Sequence, residues 1–142
     1  MVADEKTIVP CRARRRRWVV RSLVGATVIV SVLYLTVSWR IGSAVREARE
    51  CAIGEYDGDQ VSALIAYVDA PAHSLRERDR AVWALGQLGD ARALPVLEKY
   101  ATGEPCDHDH ALCQRELTKA TELCRGGLNI TALVWRHGSL RP

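Results

Sequence analysis

From Ser22 to Trp39 the chain reads "SLVGATVIVSVLYLTVSW", eighteen residues without a charge. No other feature restricts the fold as strongly. As a helix the run spans ~27 Å, close to the ~30 Å of a bilayer's hydrocarbon core. Trp18 and Trp39 bracket it, where amphipathic rings sit at the two headgroup levels, and Tyr34 lies near the second. Arg21 falls just inside the first Trp and can extend its head back to the interface. Val, Ile and Thr weaken helix propensity in water, but a lone span in lipid must satisfy its own backbone, which leaves helix. The rest of the 142 residues is too small to bury a helix that is apolar all round. A cleaved signal peptide would have a shorter apolar core; "GSA" at 42–44 is the candidate cleavage site, and an uncleaved anchor fits the length better. The expected anchor is 18–40, with Arg17, Trp18 and Trp39 at the membrane interface.

Charge orients it. Lys6, Arg12, Arg14, Arg15, Arg16 and Arg17 precede the run, with Arg21 at its edge, whereas Arg40, Arg46 and Arg49 follow. The positive-inside rule puts a basic tail, 1–17, in the cytoplasm and residues 41–142 across the membrane. An arginine cluster can also mark nucleic-acid binding. Beside an apolar span it reads as a topology signal, so the expected partner is a lipid bilayer and no nucleic acid.

Beyond the span, "RIGSAVREARECAIGE" reads as a helical stalk, 41–57. "YDGDQ" interrupts it, and Asp59 is placed to cap the next helix. Val61, Leu64, Ile65 and Val68 then form one stripe at i, i+3, i+4, i+7. Pro71 ends that helix and Ser74 caps its successor, whose stripe is Ala81, Ala84, Leu85 and Leu88. Gly89 offers a left-handed C-terminal position and Asp90 a new cap. A helix from Ala91 carries Ala93, Val96, Leu97 and Tyr100, with Pro95 about a turn inside it. A polar loop, "TGEPCDHDH", precedes a helix from about Ala111 to Arg125 with Leu117, Ala120, Thr121 and Cys124 on its buried side. "LNITALVWRHG" supplies a last short helix, and 138–142 is a tail. "NIT" at 129–131 matches a glycosylation acceptor pattern, relevant only to a eukaryotic secretory route.

The pieces repeat. "SALIAYV" at 62–68 aligns with "RALPVLEKY" at 92–100, and "RAVWALGQL" with "ELTKATELC" by apolar positions. Neither helical hairpin buries its stripe alone, so the two must stack. Arg80, the Ala-x-x-Ala-Leu-Gly-x-Leu-Gly-Asp pattern at 81–90 and Ala-Leu-Pro-x-Leu at 93–97 resemble the bacterial HEAT-like repeats first associated with phycobilisome lyases. That resemblance implies a small α-α superhelix of about two hairpins, at 58–137; together with the single N-terminal transmembrane helix read from the apolar run, the expected fold is all-α. The resemblance also implies macromolecular binding and no reaction. With a bacterial setting, the anchor would lie in the inner membrane and the repeat domain in the periplasm.

Five cysteines are present, and the expected topology isolates Cys11 in the cytoplasm. The other four, in an oxidising compartment, read as two disulfides. Cys113 and Cys124 on one helix would lie ~16 Å apart, too far to bridge. The preferred pairing is Cys106–Cys113 with Cys51–Cys124. The rival is zinc: "CDHDHALC" offers Cys106, His108, His110 and Cys113, donors of the right type in an unusual spacing. Asp57 and Asp59 around Gly58 lack the downstream Glu of a calcium loop and read as a turn. No Ser-His-Asp order, phosphate-binding glycine loop or dinucleotide fingerprint occurs. The reading is therefore a membrane-anchored protein-binding or scaffold module with no enzyme activity and no cofactor. Its contact candidates are Arg76, Arg78, Arg80, Trp83 and Trp135. The alternative is a metal- or redox-responsive sensor built on the Cys106–Cys113 loop.

Overall fold

The computed structural model describes residues 11–139, with side chains from 15 to 136. Every element among them is helical: α1 (Cys11–Glu55), α2 (Gln60–Asp69), α3 (Leu75–Leu88), a 3-10 turn (Ala91–Ala93), α4 (Leu94–Tyr100), α5 (Gln114–Cys124) and α6 (Ala132–Ser139). The chain divides into two units, Met1–Thr36 and Val37–Pro142.

In the first unit the described residues are all helix. Its apolar side chains are uncovered: Leu23, Val24, Val28, Ile29, Val30 and Leu33 are each more than half exposed. The two threonine hydroxyls turn inward along the helix, Thr27 donating to the Leu23 carbonyl at 2.9 Å and Thr36 to Val32 at 2.8 Å. This leaves the segment's outer surface without a free donor from either residue.

The second unit is built around α3, which packs against both α2 and α5. Its start is fixed by a reciprocal capping box, the Ser74 hydroxyl with the Glu77 N–H and the Glu77 carboxylate with the Ser74 N–H. Its end is fixed by Gly89, whose φ of 64° lies in the left-handed region. Asp59 caps α2 by accepting from the Ser62 N–H, and Asp90 caps the 3-10 turn through the Arg92 N–H. Arg92 then joins these two helix starts, its Nη2 lying 2.8 Å from Asp59 and 2.9 Å from Asp90. Those bonds push the Asp59 carboxyl down to about 2.

Leu64, Leu85, Leu97 and Leu117 are fully buried, one from each of α2 to α5. Each contributes roughly 1.5–3 kcal/mol through burial. The seam between α3 and α5 is close enough that a Cβ at Gly86 would sit 2.7 Å from the Ala120 Cα.

Three local expectations change. The helix expected from Ala91 is a 3-10 turn followed by α4, so Pro95 stands in a first turn, where its missing N–H costs nothing. α5 begins at Gln114 rather than Ala111, because Cys113 is its N-cap. The stalk is not separate: Val45 is buried, and Ala48 and Ala52 enter the core itself. Glu55 and Tyr56 close its end over the α2–α3 loop, where His73 stacks on Tyr67 with centroids 3.8 Å apart. His73 Nε2 also lies 3.0 Å from the Tyr56 hydroxyl and 3.2 Å from the Glu55 carboxylate.

Candidate functional site

Two features of the second unit stand out. The first is a groove of about 440 Å³ between α3 and α5, lined by Arg76, Asp79, Arg80 and Trp83 from one helix and Glu116 and Lys119 from the other. The groove forms because small residues, Gly86 and Ala120, bring the helices together at its base while long polar side chains flank it above. Trp83 is partly buried, packs against the core and lines the groove. Charges of both signs line it.

The structure separates the five contact candidates. Arg76, Arg80 and Trp83 come together in this groove. Arg80 also reaches Glu47 on α1 at 3.6 Å. Arg78 does not join them: its Nε donates to the Val68 carbonyl at 2.7 Å and its guanidinium lies over the Tyr100 ring. It ties the end of α2 to α4. Trp135 lies elsewhere, on α6, against Gly42 of α1, where a Cβ would come within 2.8 Å of Trp135 Cβ. Arg136 holds the same helix to α3 through the Gln87 carbonyl. Asn129 caps the start of α6 and bonds Gln87, which occupies its amide. Arg17, Trp18 and Trp39 are all exposed.

The second feature is the loop ahead of α5. Cys106 and Cys113 come together as the spacing suggests, with Sγ atoms 3.6 Å apart. Cys51 and Cys124, the other expected pair, face different surroundings. Cys51 is exposed near Tyr67, Glu77 and Arg80. Cys124 is buried with its Sγ directed at the Leu85 carbonyl, and burial pushes its thiol up to about 11. His108 joins Cys106 and Cys113, with the three donor atoms within 4.8 Å of one another. His110 does not: its Nδ1 lies 3.0 Å from the Asp107 carboxylate and turns away.

Backbone groups shape this loop. The Arg115 N–H, in the first turn of α5, points at Cys106 Sγ at 3.4 Å, and it holds that thiol below its ordinary pKa. The buried Cys113 N–H donates to the Asp79 carboxylate at 2.8 Å. Burial raises the Asp79 pKa despite that bond. Asp79 is the residue sequence reasoning missed. It lies on the charged face of α3, and only the docking of α5 shows that it anchors the loop.

The arrangement defines a class first: paired helices stacked through small residues, with the second helix of one hairpin, a Leu-Gly-Asp corner and the first helix of the next. Residues 77–102, which take in most of α3, the corner and all of α4, match the family described as PBS lyase HEAT-like repeat. That match supports a HEAT-like repeat at this joint. No curated protein and no solved structure matches the chain.

Proposed function

We propose that the chain is a single-pass membrane protein, its N-terminus cytoplasmic, which presents a small HEAT-like domain on the periplasmic side of a bacterial inner membrane. There it binds a protein partner along the α3–α5 groove and performs no reaction of its own. HEAT-like repeats generally serve as protein-interaction or scaffold modules, and the repeat at 77–102 supports that role.

The observation that carries the anchor is the uncovered apolar segment of α1. It has the length and composition to cross a membrane, and none of its most apolar eighteen-residue window is buried. Fully exposed to water, such a surface far exceeds what a soluble monomer leaves open. A second surface agrees. Leu128, Ile130 and Leu133 are exposed on and before α6, which docks at Gly42, three residues from Trp39. From Arg125 to Pro142 there is no acidic residue. An apolar, basic segment of that kind suits a membrane headgroup layer.

Alkaline carbonate extraction combined with reporter fusions after Pro142 tests the placement. The expected result is retention in the membrane pellet with an active periplasmic reporter. Release into the supernatant, or activity only from a cytoplasmic reporter, would overturn it.

A further inference from the structure

We propose that Cys106, His108 and Cys113 form a three-ligand zinc site with its fourth position open. The sulfur spacing matches a shared metal more closely than a formed disulfide. A disulfide requires sulfurs at about 2.05 Å. Two thiolates at about 2.3 Å from one zinc, in a tetrahedron, stand about 3.8 Å apart. Cys106 and Cys113 are at 3.6 Å, near the edge of such a tetrahedron.

The third donor removes the symmetry of a simple cysteine pair. A ring nitrogen of His108 lies with both sulfurs inside a 4.8 Å span, where a tetrahedral edge between nitrogen and sulfur is about 3.6 Å. His108 is exposed, so it can close the remaining distance of about 1 Å by a side-chain rotation. Two thiolates and an imidazole suit zinc over the hard, oxygen-seeking cations.

The surroundings hold the donors in place from both sides. Cys113 is the N-cap of α5 and its N–H is fixed by Asp79 of α3. Cys106 is set by the Arg115 N–H. His110, which sequence alone offers as an equal ligand, is committed to Asp107. Bound metal would pin the exposed residues 106–110 onto the start of α5, beside the groove that Asp79 and Arg76 line. The open position would take water or a donor from a bound partner. Thiolates held by zinc are also masked from oxidation.

The test uses the full chain in detergent, prepared under reducing conditions, equilibrated with zinc and freed of excess metal. Elemental analysis is expected to give one zinc per chain, and cobalt in its place a thiolate-to-cobalt charge-transfer band. In chelator competition, H108A and C106S, both at exposed positions, are expected to weaken binding at least about 100-fold, beyond the 10–100-fold typical of outer groups. H110A is expected to bind as the parent does. A chelator should lower the thermal midpoint of the parent and leave that of H108A unchanged, circular dichroism confirming that each variant is folded. Metal no higher than in a C106S/C113S double variant would overturn the proposal. So would equal weakening by H110A and H108A, or a Cys106–Cys113 disulfide in protein whose thiols were trapped at cell lysis.

Discussion

Replacing Gly86 by alanine tests the packing on which the groove depends. In an exposed helix interior the change would stabilise by up to about 1 kcal/mol, since glycine is the poorer helix former. At Gly86 the new methyl would lie 2.7 Å from the Ala120 Cα and 2.9 Å from its Cβ. A backbone atom cannot rotate aside, so α3 and α5 must separate by several tenths of an ångström along a seam that holds Leu85 and Leu117. Overpacking of this kind costs about 1–3 kcal/mol, and contact with backbone places it toward the upper end. The net expectation is a loss of about 1–2 kcal/mol, a fall in thermal midpoint of roughly 4–16 °C for a domain of this size. Urea denaturation of the full chain in detergent, followed by circular dichroism, measures it. Gly54 is the control: it is also helical, with nothing within 4 Å of its Cβ position, so G54A should be neutral or mildly stabilising. If G86A matched or exceeded the parent's stability, the close approach of the two helices would be wrong.

Other expectations follow from single contacts. D79A strips the buried Cys113 N–H of its acceptor and should cost about 1–3 kcal/mol, while D79N keeps an acceptor and should cost less than half of that, by the same denaturation. The folded chain holds the Cys124 proton up to about 11, whereas the unfolded chain releases it near 9. The neutral buried thiol therefore contributes fully below pH 9. Parent stability relative to C124A should fall between about pH 9 and pH 11 by about 1.4 kcal/mol per unit. In R92A the Asp59 carboxyl should titrate nearer its ordinary 3.8 than its present value of about 2, which carbon-detected NMR reads directly. G42A should drive Trp135 off α1 and expose α6, seen as a red-shifted tryptophan emission and faster proteolysis after Arg136.

Much of this fold can be read along the chain because each helix announces itself locally. The stripes Val61–Val68 and Leu117–Cys124, the Ser74 cap, the Gly89 stop and the Asp59 and Asp90 caps are all properties of one turn of helix and its neighbours. What escaped is what only tertiary contact decides. Periodicity gave α3 one buried face, yet Val82 and Gly86 are buried as well, because α3 stands between two partners. The stalk's Val45, Ala48 and Ala52 look like ordinary helix positions until the α2–α3 pair meets them. Arg78 and Arg80 are alike in sequence, two residues apart on a charged face. One folds back onto the Val68 carbonyl at the end of α2 and the other lines the groove. In the Cys-His loop, composition supplied four donors, and local hydrogen bonding selected three by committing His110 to Asp107.

The most direct test of the account is photo-crosslinking in isolated membranes, with a photoreactive side chain at Lys119 in the α3–α5 groove or at Lys99 on α4. Lys99 is exposed but paired with Asp69 and lies outside the groove. The account predicts a protein adduct of one defined mass from position 119, retained in the carbonate-resistant pellet, reduced by W83A and absent from position 99. Equal adducts from both positions, none from the groove, or a chain that leaves the membrane at alkaline pH would contradict it.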